Sequence, residues 1–230
     1  MPDITIHAAD GGGFSAYLAT PKSGKGPGIV VIQEIFGVNP WIRQIADRYA
    51  AAGYVAMAPD LFWRIQPGIQ LTDKGEDFQK ALGLMQKLDG AKAVEDIQAT
   101  IAALRRNPAC TGRVGAVGYC LGGSLAYRTA ARTDVDASVG YYGVGIEGIL
   151  ADAATIKKPL MLHIAEKDQF VPPEAQAKIK GALKDNPHVT LHSYAGADHA
   201  FARDGGDHFD AAKAELANRR TAEFFHQNLN

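Results

Sequence analysis

The chain of 230 residues has two cysteines, Cys110 and Cys120, and they lack CxxC spacing. No disulfide framework is expected from such a pair, and two thiols suit a reducing cytoplasm. Charge of one sign is also missing: 24 Lys and Arg stand against 25 Asp and Glu, a formal net charge of −1. Arg105-Arg106 and Arg219-Arg220 are isolated pairs, with no basic stripe and interleaved aromatics around them. Neither a nucleic-acid partner nor an anionic membrane is therefore expected. No run approaches the ~18 apolar residues that cross a bilayer, and the opening MPDITIHAADGGG shows no charged region followed by an apolar stretch, so no secretory leader is expected. Linkers rich in Pro and Ser and internal repeats are absent too, so a single domain over residues 1–230 is expected. What remains is 47% hydrophobic and 21% charged, the composition of a chain that can bury a large core. No apolar helix face is clearly in excess, which favours a monomer.

From residue 28 onward, apolar runs alternate with amphipathic stretches. Strands are expected at 28–32, 54–58, 113–118, 137–142, 159–164 and 189–194, where short apolar or β-branched runs occur. Helices are expected at 40–52, 78–106 with a break near Asp89-Gly90, 121–132, 173–183 and 209–226. Pro59-Asp60 closes the strand 54–58, and the polar, Gly- and Pro-containing stretch that follows to about Gly75 reads as a long surface loop. Alternation of this kind gives an α/β fold: a mostly parallel central sheet with helices on both faces. Right-handed crossovers then set the strand C-termini along one edge, where ligands bind in such sheets.

Gly118-Tyr119-Cys120-Leu121-Gly122-Gly123 falls at a strand-to-helix junction. In a G-x-nucleophile-x-G turn the nucleophile occupies a strained backbone position and its neighbours pack so closely that only small residues fit. The turn exposes the side chain at the sheet edge and aims the Leu121 N–H at a reacting carbonyl. The start of the following helix favours a thiolate. The plain alternative is a buried structural cysteine in a tight turn. GAVGYCLGG has the wrong glycine spacing for a dinucleotide fingerprint, and no GK[ST] follows to make a phosphate loop.

A thiol that transfers acyl groups needs a base, and the base needs an orienting acid. In this arrangement the chain order is nucleophile, acid, histidine. Asp168 lies just past the strand 159–164 and His199 just past the strand 189–194. Both land on the edge where Cys120 is expected. Glu166 competes with Asp168 as the acid, and Asp198 competes less well because it directly precedes His199. His163, inside an apolar strand, reads as a satisfied core histidine. A metal site through His199, Asp204, Asp207 and His208 is not expected, because no HExxH or CxxC element accompanies them; His208 reads as the start of the last helix. No cofactor is expected.

Five strings carry a family resemblance: Gln33-Glu34-Ile35-Phe36-Gly37, Ala58-Pro59-Asp60-Leu61, Gly118 to Gly123, Gly140-Tyr141-Tyr142-Gly143 and His199-Ala200-Phe201-Ala202-Arg203. In this order they resemble the dienelactone hydrolases (carboxymethylenebutenolidases), enzymes of the α/β-hydrolase fold. The resemblance implies a triad of Cys120, His199 and Asp168. It also implies a role for Glu34, a carboxylate that contacts the resting thiol and helps to form the thiolate when substrate binds, which protects an idle thiol from oxidation. Ile35 supplies the second oxyanion N–H beside Leu121, and Arg203 binds a substrate carboxylate. The family's type members have a further arginine where Phe78 stands here, and Lys80 is the nearby candidate cation. Tyr141 joins Arg203 and Phe78 as an expected substrate contact.

The reaction implied is hydrolysis of a lactone or ester of a small carboxylated molecule through a thioester on Cys120, in the degradation of aromatic compounds. The alternatives are a general carboxylesterase or thioesterase of the same fold and a small-molecule binder on a degenerate hydrolase scaffold. A redox-sensing role for Cys120 is the weakest of the readings.

Overall fold

The computed structural model describes residues 3–230. The chain divides into two compact units, Met1–Ala116 and Val117–Asn230, and each is described in turn.

The first unit holds strands β1 (Asp3–His7), β2 (Gly13–Ala19), β3 (Gly26–Ile32) and β4 (Val55–Pro59), helices α1 (Pro40–Ala51), α2 (Gly75–Lys87) and α3 (Gly90–Arg106), and the start of β5 (Cys110–Tyr119). Its strands lie in the order β1-β2-β4-β3-β5. β3 and β4 are parallel, and every residue of both is buried. Such strands show no alternation, because both faces are covered. Helix α1 starts on Asn39, whose side chain accepts the Ile42 N–H, with Pro40 in the first turn, where a missing N–H costs nothing. Asp89 caps α3 in the same way, through the N–H groups of Ala91 and Lys92. That cap, after the carboxyl end of α2, is the expected break in the 78–106 helix.

Two features of this unit differ from expectation. β1 and β2 form an antiparallel hairpin, and β2 adds antiparallel to β4. Its signal is the period-two pattern of Phe14 and Ala16 buried beside Gly13 and Ser15 exposed, joined to β1 across Gly11-Gly12, both at positive φ. The stretch after β4 is not a surface loop throughout. Leu61 and Phe62 are fully buried, and Ile69 and Leu71 nearly so. Asp60 folds the segment over by accepting the N–H groups of Phe62 and Gly68 at 3.0 and 2.7 Å.

The second unit contains the end of β5, helix α4 (Leu121–Arg132), β6 (Ala137–Tyr141), two short 3-10 turns, β7 (Leu160–Ala165), α5 (Pro173–Leu183), β8 (Val189–Tyr194) and α6 (Ala211–Leu229). Strand order is β5-β6-β7-β8. The parallel register of β6, β7 and β8 sets Tyr141 beside His163 and His163 beside His192, and the last pair is Ala165 with Tyr194. The chains leaving β7 and β8 therefore start side by side. Tyr127, Leu160, Leu162, Ile179 and Leu183 belong to one apolar core cluster beneath α4 and α5. The last helix begins at Ala211, capped by Asp210, rather than at 209. His208 is in the preceding loop, 3.2 Å from Asp198.

Candidate active site

The turn at Cys120 is strained. Its φ of 56° and ψ of −115° lie in a region that a side chain disfavours. Backbone hydrogen bonds hold it on both sides: the Cys120 N–H donates to Tyr141 O, and the Cys120 carbonyl accepts from Gly123, Ser124 and Val144. The glycines of the motif have steric reasons. A Cβ on Gly118 would stand 1.9 Å from the Gly122 carbonyl oxygen, and one on Gly123 would stand 2.4 Å from that of Tyr141. A Cβ on Gly140 would meet the Gly123 oxygen at 2.7 Å. Helix α4 and the end of β6 thus approach backbone to backbone, and GYCLGG and GYYG describe two sides of one contact.

Among the described residues, the non-glycine positions with φ in the left-handed region are Cys120, Tyr142 and Ala200. Ala200 follows His199, and the Tyr142 ring meets the His199 ring edge-on at 5.1 Å. Strain of this kind persists only where the surroundings over-determine it, and it collects at functional sites.

Asp168 and His199 meet because β7 and β8 end together. Lys167 N–H donates to Ala197 O, joining the two loops directly. His199 Nδ1–H then donates to Asp168 Oδ2 at 2.7 Å, and the other oxygen, Oδ1, accepts the Phe170 N–H at 2.8 Å. Both carboxylate oxygens are used and the group is buried, 3% exposed. Glu166 is exposed. Asp198 turns to its own neighbour's backbone, accepting the His199 N–H at 2.7 Å. These placements separate Asp168 from its two competitors.

The His199 pKa is raised from 6.5 to about 10. Burial by itself would push it down, but the Cys120 charge, hydrogen bonds to Asp168 and Cys120, and the Asp168 charge outweigh that penalty. The imidazole thus bridges an acid and a sulfur. Phe170 meets its ring edge-on at 4.8 Å, and Phe201 packs behind Tyr142 at 5.6 Å.

The remaining expected residues fall in different places. Leu121 is the first residue of α4, where a helix N–H has no intrahelical acceptor. Arg203 is half-buried in the loop that His199 begins. Tyr141 is a correction to the expected substrate contacts. Its side chain is fully buried and its hydroxyl donates to Asn218 Oδ1 at 3.0 Å, so it packs under α6. Tyr142, one residue on and just past the end of β6, is the tyrosine beside His199. In the first unit, Glu34 and Ile35 are buried just past β3. Phe78 packs against Phe36 at 6.3 Å, and Lys80 is exposed on α2. His163 is a satisfied core histidine, bonded to Tyr194 and Thr221. Tyr142 and Phe201 stand inside the GYYG and HAFAR strings with no role assigned to them there, and Phe170 lies two residues past Asp168; that placement is the one signal pointing to these three aromatic neighbours of the site.

The sequence profile of the dienelactone hydrolase family matches residues 14–229. The chain belongs to the dienelactone hydrolase family. A protein of Azospirillum brasilense, provisionally named a carboxymethylenebutenolidase, is 53% identical over the full length of both chains. The carboxymethylenebutenolidase of Pseudomonas sp. strain P51 is 42% identical, covering 96% of this chain and 92% of its own. A Klebsiella pneumoniae structure, provisionally named a dienelactone hydrolase, is similar with a TM-score of 0.87 at 28% identity and 98% of each chain covered. As a member of this family the chain is a carboxylic ester hydrolase of the carboxymethylenebutenolidase type, with the α/β-hydrolase fold. Among the described residues no helix is long and apolar enough to cross a membrane.

Proposed function

We propose that this dienelactone hydrolase homologue opens a small carboxylated lactone, of the dienelactone-to-maleylacetate type, through a thioester on Cys120. The observation that carries the reading is the bridge at His199, with Nδ1 on the buried Asp168 carboxylate and the ring hydrogen-bonded to Cys120. An imidazole held between a carboxylate and a sulfur stabilises a thiolate–imidazolium pair, the reactive form of a cysteine nucleophile.

In the first step the Cys120 thiolate adds to the lactone carbonyl, and the Leu121 N–H receives the developing oxyanion. The ring C–O bond breaks, and the leaving enolate or alkoxide oxygen takes the proton of the His199 imidazolium, which leaves the imidazole neutral. In the second step His199 removes a proton from water. The water adds to the thioester, and the C–S bond breaks to return the thiolate. Asp168 keeps Nδ1 protonated, so Nε2 is the nitrogen that exchanges protons. The Ile35 N–H as second oxyanion donor, Glu34 as the carboxylate that governs thiolate formation, and Arg203 as the substrate's anchor rest on the family motifs. A single catalytic domain is in keeping with a family match that runs through both units. The same reading takes the protein as a cytoplasmic monomer acting on a free small molecule in aromatic degradation.

Rapid-quench mass spectrometry with a slow ester tests the chemistry. An acyl group should accumulate on the Cys120 peptide; acylation at another residue would remove the mechanism. Comparing cis- and trans-dienelactone with a neutral aryl ester tests the substrate class. A higher kcat/KM for the neutral ester would replace the carboxylated lactone with a general ester.

A further inference from the structure

Behind the active-site residues of the second unit lies a chain of buried polar groups that the proposed mechanism does not use. His163 Nδ1 is 2.8 Å from the Tyr194 hydroxyl, and Nε2 is 2.9 Å from Thr221 Oγ1. Thr221 Oγ1 is 2.7 Å from the Tyr141 hydroxyl, which donates to Asn218 Oδ1 at 3.0 Å. At the other end Arg220 Nη1 donates to the Tyr194 hydroxyl at 3.2 Å. Tyr141, His163, Tyr194 and Thr221 are each at most 3% exposed.

The proton positions follow from the two ends. Asn218 Oδ1 can only accept, so the single Tyr141 proton goes there. Thr221 must then donate to Tyr141, which leaves its oxygen to accept from His163 Nε2–H. His163 Nδ1 is bare and accepts from Tyr194, whose oxygen accepts from Arg220. Every bond points the same way, from Arg220 to Asn218, and His163 is neutral with its proton on Nε2. Aligned bonds of this kind strengthen one another in a buried setting.

The same three strand residues act through their carbonyls. Tyr141 O accepts the Cys120 N–H, His163 O accepts the Tyr142 N–H, and Tyr194 O accepts the N–H groups of Glu166 and Ala197. Those carbonyls hold the start of the Cys120 turn, the strained Tyr142 against His199, and the two loops that carry Asp168 and His199. Their side chains fasten to one helix, α6. We propose that Thr221, His163 and Tyr194 are positioning residues for the Cys120–His199–Asp168 arrangement, with the one-directional bond chain to α6 fixing the ends of β6, β7 and β8 relative to one another. The proposal rests on the catalytic reading of those three side chains. The groups that face His163 are Tyr141 from β6, His192 and Tyr194 from β8, and Thr221 and Arg220 from α6. A proton added at Nδ1 would oppose the Tyr194 O–H, so the chain requires a neutral His163.

The test removes a link without changing shape. Thr221→Val deletes the hydroxyl, Thr221→Ser restores it, and Tyr194→Phe breaks the chain from the other end. The pH dependence of Cys120 alkylation by iodoacetamide is followed by peptide-resolved mass spectrometry, without substrate. Kinetics on an ester are measured in parallel. Thr221→Val and Tyr194→Phe should each displace the alkylation midpoint and lower kcat by about tenfold, the scale on which small misplacements act, with KM little changed. Thr221→Ser should restore both. An unchanged alkylation profile overturns the proposal, whether or not Tm falls, because the chain would then be structural only. If Thr221→Val fails to fold, the Tyr194→Phe result decides alone. The alkylation assay reads the thiol–imidazole pair without turnover, so a failure of the thioester mechanism, seen as retained turnover in Cys120→Ala, is distinguishable from a failure of this proposal.

Discussion

As strings, the motifs of the first unit are no less diagnostic than those of the second, yet their side chains do different things. In the first unit, Gln33 is fully buried and spends its side chain on the backbone: Oε1 accepts the Leu61 N–H at 3.0 Å, and Nε2 donates to Glu34 O. Gly37 has φ 76°, and a Cβ there would stand 2.0 Å from Ile69 O. Asp60 organises its own loop. Much of QEIFG and APDL is therefore scaffold. In the second unit the motif residues His199 and Cys120 turn their side chains to each other, and His199 also meets Asp168, which stands outside the five strings. A string can be specific to a family because a backbone needs it or because chemistry needs it, and only the partners of each side chain tell the two apart.

The largest expected effect tests the chemical side of this contrast. Cys120→Ala should lower kcat on lactones and esters by roughly 10⁴-fold or more, as removal of a nucleophile does, with Tm nearly unchanged. Substantial turnover in that variant would make Cys120 scaffold as well.

Gly118→Ala comes next, and it acts through the fold. With a carbonyl oxygen 1.9 Å from the new methyl group, the backbone has to move, at a cost of about 3 kcal/mol, the upper range for overpacking. Chemical denaturation would measure it, and a neutral result would contradict the close approach at the elbow. Gln33→Ala should strand the buried Leu61 N–H and cost about 1–3 kcal/mol of stability. It should leave the pH profile of Cys120 alkylation in place. A shifted profile at unchanged stability would move Gln33 from scaffold to chemistry.

Arg203→Ala should raise KM for carboxylated substrates about tenfold, from the loss of charge-assisted hydrogen bonds, and hardly alter that for neutral esters. Equal effects on both would end the carboxylate-anchor reading.

The smallest expected effect is on stability against pH, where two histidines of the second unit have opposite signs. The folded-state pKa of His199 is raised, so its contribution is complete below its unfolded value of 6.5 and is lost as pH rises toward about 10. Burial first, then His192 and Arg220, hold His163 well below 6.5, so its contribution is present above 6.5 and fades as pH falls below that value. Tm should therefore be highest near neutral pH. His199→Gln should flatten the alkaline side alone; flattening of the acid side instead would reverse the assignment.

Much of the site is legible in the chain because parallel α/β units place residues just past strand ends in a known spatial order. Cys120, Asp168 and His199 each follow a strand by at most five residues, so small boundary errors do not matter. Tyr141 fails for the converse reason. Choosing between two adjacent tyrosines needs the exact strand end, and Tyr142, at φ 38°, has already left the pleat. The N-terminal hairpin escapes a reading by apolar runs, although Phe14 and Ala16 alternate with exposed neighbours. Its strands are half-exposed and mixed in composition, unlike the continuous apolar runs of β3 and β4.

By itself the amino-acid sequence determined the alternation of strands and helices, the glycines that a close-packed elbow requires, and the order of nucleophile, acid and histidine along the chain. These are local in origin: hydrophobic period, the absence of a Cβ, and position relative to a strand end. The tertiary structure alone decided that Asp168 rather than Glu166 faces His199, that Gln33 serves the backbone, and that Tyr141, His163 and Tyr194 share one bonded chain with α6. Those outcomes depend on which groups meet in the folded chain and which are removed from water, and residues 26 to 80 positions apart carry no local record of that meeting.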